Sequence, residues 1–262
     1  MRGRSFYRRR PRRYSGPPFW LLAMAAAVIV LLLLWAGTRR TVEVSMEYEM
    51  PTQPPYTVAL DAGHGGMDTG AEGYLDEVVL CEQTVDALYN LLALDDNFVP
   101  VRTRPNGEKY SVDERVETAA QRKACLLMSI HGNSDGDSSS HGFECFPTPP
   151  GRVWSQESMA FAQCIAQQME QAGHRLRGTN GIRFAYYEGK RKILVDSEDD
   201  RVRELKSFGI LEKAPCPAVL VEQGFVTNAQ DAENWASPEG CERAAQVYYQ
   251  AICQYFGTQP MV

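Results

Sequence analysis

Three ionisable side chains stand where buried strands end. His64 comes just after residues 58–61, which read as a buried strand, inside LDAGHGGMDTGAEG (60–73), His131 closes CLLMSIH (125–131), and Glu222 lies within PAVLVEQG (217–224). An uncompensated carboxylate among such neighbours is expensive, so Glu222 must face a cavity, a cation or a proton donor. Two neutral imidazoles and one carboxylate are the ligand set of a catalytic zinc that keeps its fourth position for water. The glycines around His64 let the backbone turn tightly and give close access to such an ion. An acid entering the same mouth would complete the set, and GYLDEVVLCEQTVDALYNLL offers two, Glu77 and Glu82.

Placing these groups side by side requires a sheet. Strand patterns at 57–63, 99–104, 125–131, 142–147 and 217–224 alternate with helical patterns at 77–94, 111–123, 155–172 and 238–256. Ser111 with Glu114 three residues on forms a capping-box signature at the start of the second helix. In the third, Met159, Ala162, Ile165, Ala166 and Met169 recur at helical spacing and make one buried face. This alternation predicts an α/β fold, a mostly parallel twisted sheet with helices on both faces. In such sheets a site forms outside the carboxyl ends of the strands.

The charge is split along the chain. Residues 1–40 hold nine of the 27 Lys and Arg and no acid, which leaves 18 basic against 33 acidic residues in the remainder. A body that acidic argues against nucleic acid, whose phosphates are bound chiefly by Lys and Arg. The Arg-rich tail, 1–18, runs straight into FWLLAMAAAVIVLLLLWAG, 19–37, which carries no charge. As a helix it reaches about 27 Å, close to the hydrocarbon thickness of a bilayer. The arginines before it place the N-terminus in the cytoplasm and the body outside. The run is longer than a cleavable signal and no small-x-small site follows, so it reads as an uncleaved single-pass anchor in the cell membrane; a cleaved secretory signal is the rival. Residues 38–55, with three prolines in 41–56, form a linker, and 56–257 form the catalytic domain. Seven cysteines, an odd number without CxxC spacing, leave at least one thiol unpaired within the chain, and several sit in apolar runs as small hydrophobes.

The motifs LDAGHGGMDTGA, RTR (102–104), SIHGN (129–133) and VLVEQGFVTN (219–228), in this order, resemble the landmarks of the zinc-dependent N-acetylmuramoyl-L-alanine amidases of bacterial cell walls, type 3 amidase domain. The resemblance covers about Thr57 to Phe256. It implies Zn2+ held by His64, an acid at the start of the first helix and His131, with Glu222 acting on the water, and cleavage of the amide joining N-acetylmuramic acid to L-alanine in peptidoglycan. In the family the ligand glutamate lies about fifteen residues after the first histidine and some two dozen before the TR of the next strand. Glu77 lies 13 after His64 and 26 before Thr103, whereas Glu82 lies 18 after and 21 before. Glu77 fits better and leaves Leu80, Cys81, Val85, Leu88 and Leu92 as the buried stripe, but the lysine and polar residue usual after it are Val78 and Val79 here. Glu82 stays the alternative ligand.

Other readings are open. A catalytically silent wall-binding module or a zinc peptidase on sugar-free peptides would keep the same fold, and a protein activator is a possible partner. His141 and His174 read as surface or loop residues, and DGDSSS (135–140) as a solvated loop. Asn133 and Asn228 either position substrate or close turns, and Asp61 and Asp68 are candidates to orient a ligating histidine. The segment 178–209 reads as a charged surface hairpin plus helix, or as an insertion that contacts substrate.

Overall fold

The computed structural model describes residues 50–262, together with Met24. Apart from Met24, the segments expected to be the tail, the anchor (19–37) and the linker up to residue 49 lie outside the described residues. Among the described residues no helix is long and apolar enough to cross a membrane.

Residues 50–262 form one compact unit. Its main sheet has the order β2-β1-β3-β7-β4, with β1 Tyr56–Ala62, β2 Phe98–Arg102, β3 Leu126–Asn133, β4 Glu144–Pro147 and β7 Ala218–Phe225. All neighbours run parallel except β4, an antiparallel edge strand on β7. A separate hairpin pairs β5 Arg183–Glu188 with β6 Arg191–Asp196.

Side-chain alternation sorts the two faces. Val58, Leu60, Leu126, Met128, Val219 and Val221 are fully buried on one face, where Gln223 bonds Thr84 of helix α1, Glu77–Ala93. Helices α1, α3 (Ser155–Gln171) and α5 (Pro238–Phe256) cover that side. Their buried stripes, Leu80, Cys81, Val85, Leu88 and Leu92 in α1 and Ala162, Ile165, Ala166 and Met169 in α3, follow the helical spacing of the sequence. On the other face Ala59, Leu127, Ala218 and Leu220 join Ala119 of α2 (Val112–Gln121) and Ile210 and Leu211 of the short α4 (Gly209–Lys213). Helix α2 opens with the expected capping box: Glu114 N–H donates to Ser111 Oγ (3.3 Å), and Ser111 N–H donates to Glu114 Oε2 (2.7 Å).

Segment 178–209 departs from a plain surface hairpin. Phe184, Ala185 and Tyr186 are buried, and Ala185 enters the core beside Phe146 and Leu220, so the hairpin helps cover the apolar surface of the edge strand β4. At the opposite end of the strands, Tyr56 stacks on Phe256 with centroids 4.1 Å apart, and Met261 N–H donates to Tyr249 Oη. The seven described-region thiols are all free, six of them buried, as their apolar surroundings suggest.

Candidate metal centre

The alternation that buries Ala59, Leu127 and Leu220 carries Asp61, Ser129, His131 and Glu222 onto the same face at the carboxyl ends of β1, β3 and β7. His131 and Glu222 are register partners. His64 lies two residues past β1 with φ +57, a left-handed backbone that turns its ring back over the sheet. Glu77 is the first residue of α1 and is 5% exposed.

These residues converge on one point. Glu77 Oε1 is 2.9 Å from His64 Nε2 and 2.9 Å from His131 Nδ1, and one ligand atom from each of the three lies within 4.8 Å of the others. Glu77 is further tied by Gly132 N–H to Oε1 (3.1 Å) and Ala71 N–H to Oε2 (2.9 Å). Burial would raise the Glu77 pKa, but hydrogen bonds with His131 and His64 outweigh it and hold the carboxyl below its ordinary value. The bond with Glu77 in turn raises the His64 pKa against the opposing effect of burial. His64 Nδ1 contacts Asp68 Oδ1 at 3.1 Å, so Asp68 takes the orienting place expected of it.

The cluster fits a zinc ion on its own geometry. Ligand bonds near 2.1 Å in a tetrahedron imply contacts of about 3.4 Å between donors, and the 2.9 Å nitrogen–oxygen contacts need open by only about 0.5 Å. Two glycines keep this space. A Cβ at Gly63 would stand 2.4 Å from the His131 ring, and one at Gly70, where φ is +71, would stand 2.6 Å from Glu77 Oε2 and 2.7 Å from the His64 ring.

Glu222 is held apart from this knot. It is 8% exposed and its Oε2 has no hydrogen-bond partner. Burial, with Glu77 nearby and only partly offset by His131, pushes its pKa up to about 7. It opens onto a cleft of about 360 Å³ lined also by His64, His131, Tyr110, Arg115 and Phe208. An acid of that pKa beside the His-Glu-His cluster can both take and return a proton near neutral pH.

Several expectations need correction. Glu82 lies away from the histidines: it accepts from Arg104 Nη1 at 2.6 Å and from Gly107 N–H, because five positions along α1 its side chain faces the β2 end rather than the mouth. Asp61 orients no histidine; its oxygens are taken by Thr103, Ser129 and Arg115, which knit β1 to its neighbours. His174 is buried, stacked on Trp235 at 4.1 Å and bonded through Nε2 to the Gln223 carbonyl, and burial lowers its pKa. His141 remains in a loop, on Ser139 O and beside Arg175. Asn228 accepts from Asp231 N–H and caps a helical turn, while Asn133 donates to Glu144.

Sequence reasoning placed Arg104 only within the RTR landmark, without its role, and missed Arg115. Arg104 donates from Nε to Ala62 O (2.9 Å) and from Nη2 to Gly63 O (2.8 Å), while Arg115 donates to Ala62 O and His64 O. Together they clamp the strand end that carries His64. Arg115 sits four residues before Ala119 on the buried face of α2, and a basic residue on such a face was the available signal.

Fold and site together define an α/β domain with a His-Glu-His cluster and a buried acid at the ends of parallel strands. The chain belongs to the N-acetylmuramoyl-L-alanine amidase family, Amidase_3, whose profile matches residues 58–254. It is 28% identical over 202 residues to the N-acetylmuramoyl-L-alanine amidase LytC of Bacillus subtilis, covering 76% of this chain and 35% of that protein. The chain thus spans about a third of the length of the first curated relatives it matches. Among solved structures it is similar to the catalytic domain of CwlV, an N-acetylmuramoyl-L-alanine amidase from Bacillus (Paenibacillus) polymyxa var. colistinus, with 27% identity and a TM-score of 0.62 over 78% of this chain and 99% of that one. The CwlD amidase of Clostridioides difficile, solved in complex with the GerS lipoprotein, shares the fold at 20% identity and a TM-score of 0.59, over 77% of this chain and 98% of that one.

Proposed function

We propose that this domain hydrolyses the amide between N-acetylmuramic acid and L-alanine in peptidoglycan, with Zn2+ held by His64, Glu77 and His131. The observation that carries this reading is the unpartnered, buried Glu222 Oε2 beside a cluster whose three donor atoms already converge. The chemistry zinc supplies in such a donor set is Lewis acidity, which makes water a nucleophile near neutral pH and polarises a carbonyl. Glu222 takes the proton from the attacking water and returns it to the leaving amine, a role suited to an acid whose pKa is pushed up to about 7. Asp68 holds the far nitrogen of His64, and the arginine clamp keeps the His64 backbone in place. The cleft lined by Tyr110, Arg115 and Phe208 is the space open to the substrate beside Glu222.

The proposal includes a place for the chain: residues 19–37 anchor it in the cell membrane with the N-terminus cytoplasmic and the domain outside, where the wall lies. The test is to incubate the purified chain with sacculi, with and without chelator, and identify the ends released. Free L-alanine amines and muramic acid carboxyls, lost with chelator and restored by zinc, are expected. Insensitivity to chelator, cleavage within the peptide only, or no cleavage by zinc-loaded folded protein would overturn the reading.

A further inference from the structure

The β5–β6 hairpin packs on Phe208, which lines the cleft, and carries there a cation that the reaction above does not use. Register sets Arg183 against Asp196, Ala185 against Leu194 and Tyr187 against Lys192, all on one face. Ala185 enters the core with Phe146 and Leu220, so this face turns toward the layer that holds Glu222. Lys192 Nζ lies 4.9 Å from the ring centroid of Phe208 and 5.1 Å from that of Phe146. Phe208 lines the cleft with Glu222, His131 and His64, and Tyr187 meets Phe208 edge-on at 5.7 Å. The ammonium is near enough for its charge to be felt at Glu222.

Several arginines around it are committed, whereas among the described residues Lys190, Arg191 and Lys206 stand in no ion pair and, unlike Lys192, over no ring. Arg177 and Arg183 share the Glu144 carboxylate, Arg152 pairs with Glu212, and Arg201 and Arg203 pair with Asp199. Lys192 rests on ring faces, which steady an ammonium without neutralising it, and forms none of the ion pairs found among the described residues. A cation held on a ring that lines the cleft, in a body with 18 basic against 33 acidic residues beyond position 40, offers a local attraction for an anion. On the amidase reading the anion to hand is a carboxylate of the stem peptide. We propose that Lys192, steadied by Phe146 and Phe208, binds a stem-peptide carboxylate and makes the domain prefer an acidic stem to its carboxamide counterpart.

The test uses the purified, zinc-loaded full chain and two synthetic muramoyl peptides that differ only in one stem carboxylate, free or amidated. K192M keeps an unbranched side chain over the rings and removes the charge; K192R keeps the charge. The wild type is expected to favour the acid by about tenfold in kcat/KM, carried by KM. K192M should erase the preference and K192R retain it. An acid-to-amide ratio unchanged in K192M, or lost equally in both variants, overturns the inference. Calorimetric binding of the same pair to E222Q, with and without K192M, reads the ratio without turnover. Selective, Lys192-dependent binding in a chain whose wild type cleaves neither peptide would sink the amidase reading and keep this one.

Discussion

Replacing Glu222 by glutamine separates what this carboxylate does for chemistry from what it costs the fold. Burial raises its pKa from 4.5 to about 7, so the folded domain binds more protons than the unfolded chain across that interval. Folded stability therefore falls as pH rises from 4.5 toward 7 and levels off above it. The shift corresponds to a loss of about 3 kcal/mol by pH 8 in the metal-free protein. Glutamine mimics the protonated acid, so E222Q should match the wild type near pH 4.5 and exceed it at pH 8, by roughly 10 °C in Tm for a domain of this size. The assay is thermal unfolding of both proteins in chelator between pH 4.5 and 8.5, where the pH-dependent part of the difference is the quantity read. In parallel, zinc-loaded E222Q should lose roughly 10²–10⁴-fold in sacculus hydrolysis while holding its metal. A stability difference that does not change with pH would refute the claim that Glu222 is desolvated without a partner.

The ligand set yields two further expectations. E77Q should lose stoichiometric zinc by elemental analysis, whereas E82Q should keep it and lose stability of about 1–3 kcal/mol, since Arg104 is left without its carboxylate in a buried place; zinc lost from E82Q and kept by E77Q would reverse the assignment. Zinc affinity should fall as pH drops through the raised His64 pKa, beginning above 6.5 and approaching tenfold per pH unit, because the ion must displace a proton from the imidazole. Titration calorimetry in buffers of different ionisation enthalpy reads that proton directly, and a pH-independent affinity with no proton release would contradict it.

What could be read from the chain and what could not divide along physical lines. The strands and α1, α2, α3 and α5 announce themselves through periods of two and 3.6, and the apolar context of Glu222 already forced a reason for its carboxylate. The capping box at Ser111 was legible because its two residues act locally. Contacts across the sheet were not. Asp61 looked like an orienting acid from its nearness in sequence to His64, yet partners 42, 54 and 68 residues away claim its oxygens. His174 looked like a loop residue, yet the turn after α3 presses it against Trp235 from beyond β7. Glu77 and Glu82 could be ranked only by the spacing that the family resemblance implies, and the helix register in space shows one facing the histidines and the other facing Arg104.

Both ends of the domain meet at one pole, where Tyr56 lies on Phe256 and the last residues fold onto Tyr249. The seven residues of β1 run from there to the opposite pole, roughly 20 Å away, where the histidines open to solvent. A fluorophore, affinity handle or surface attachment added after Val262 therefore stands clear of the mouth. Immobilised by that end, the domain would still present its cleft to a polymer too large to diffuse.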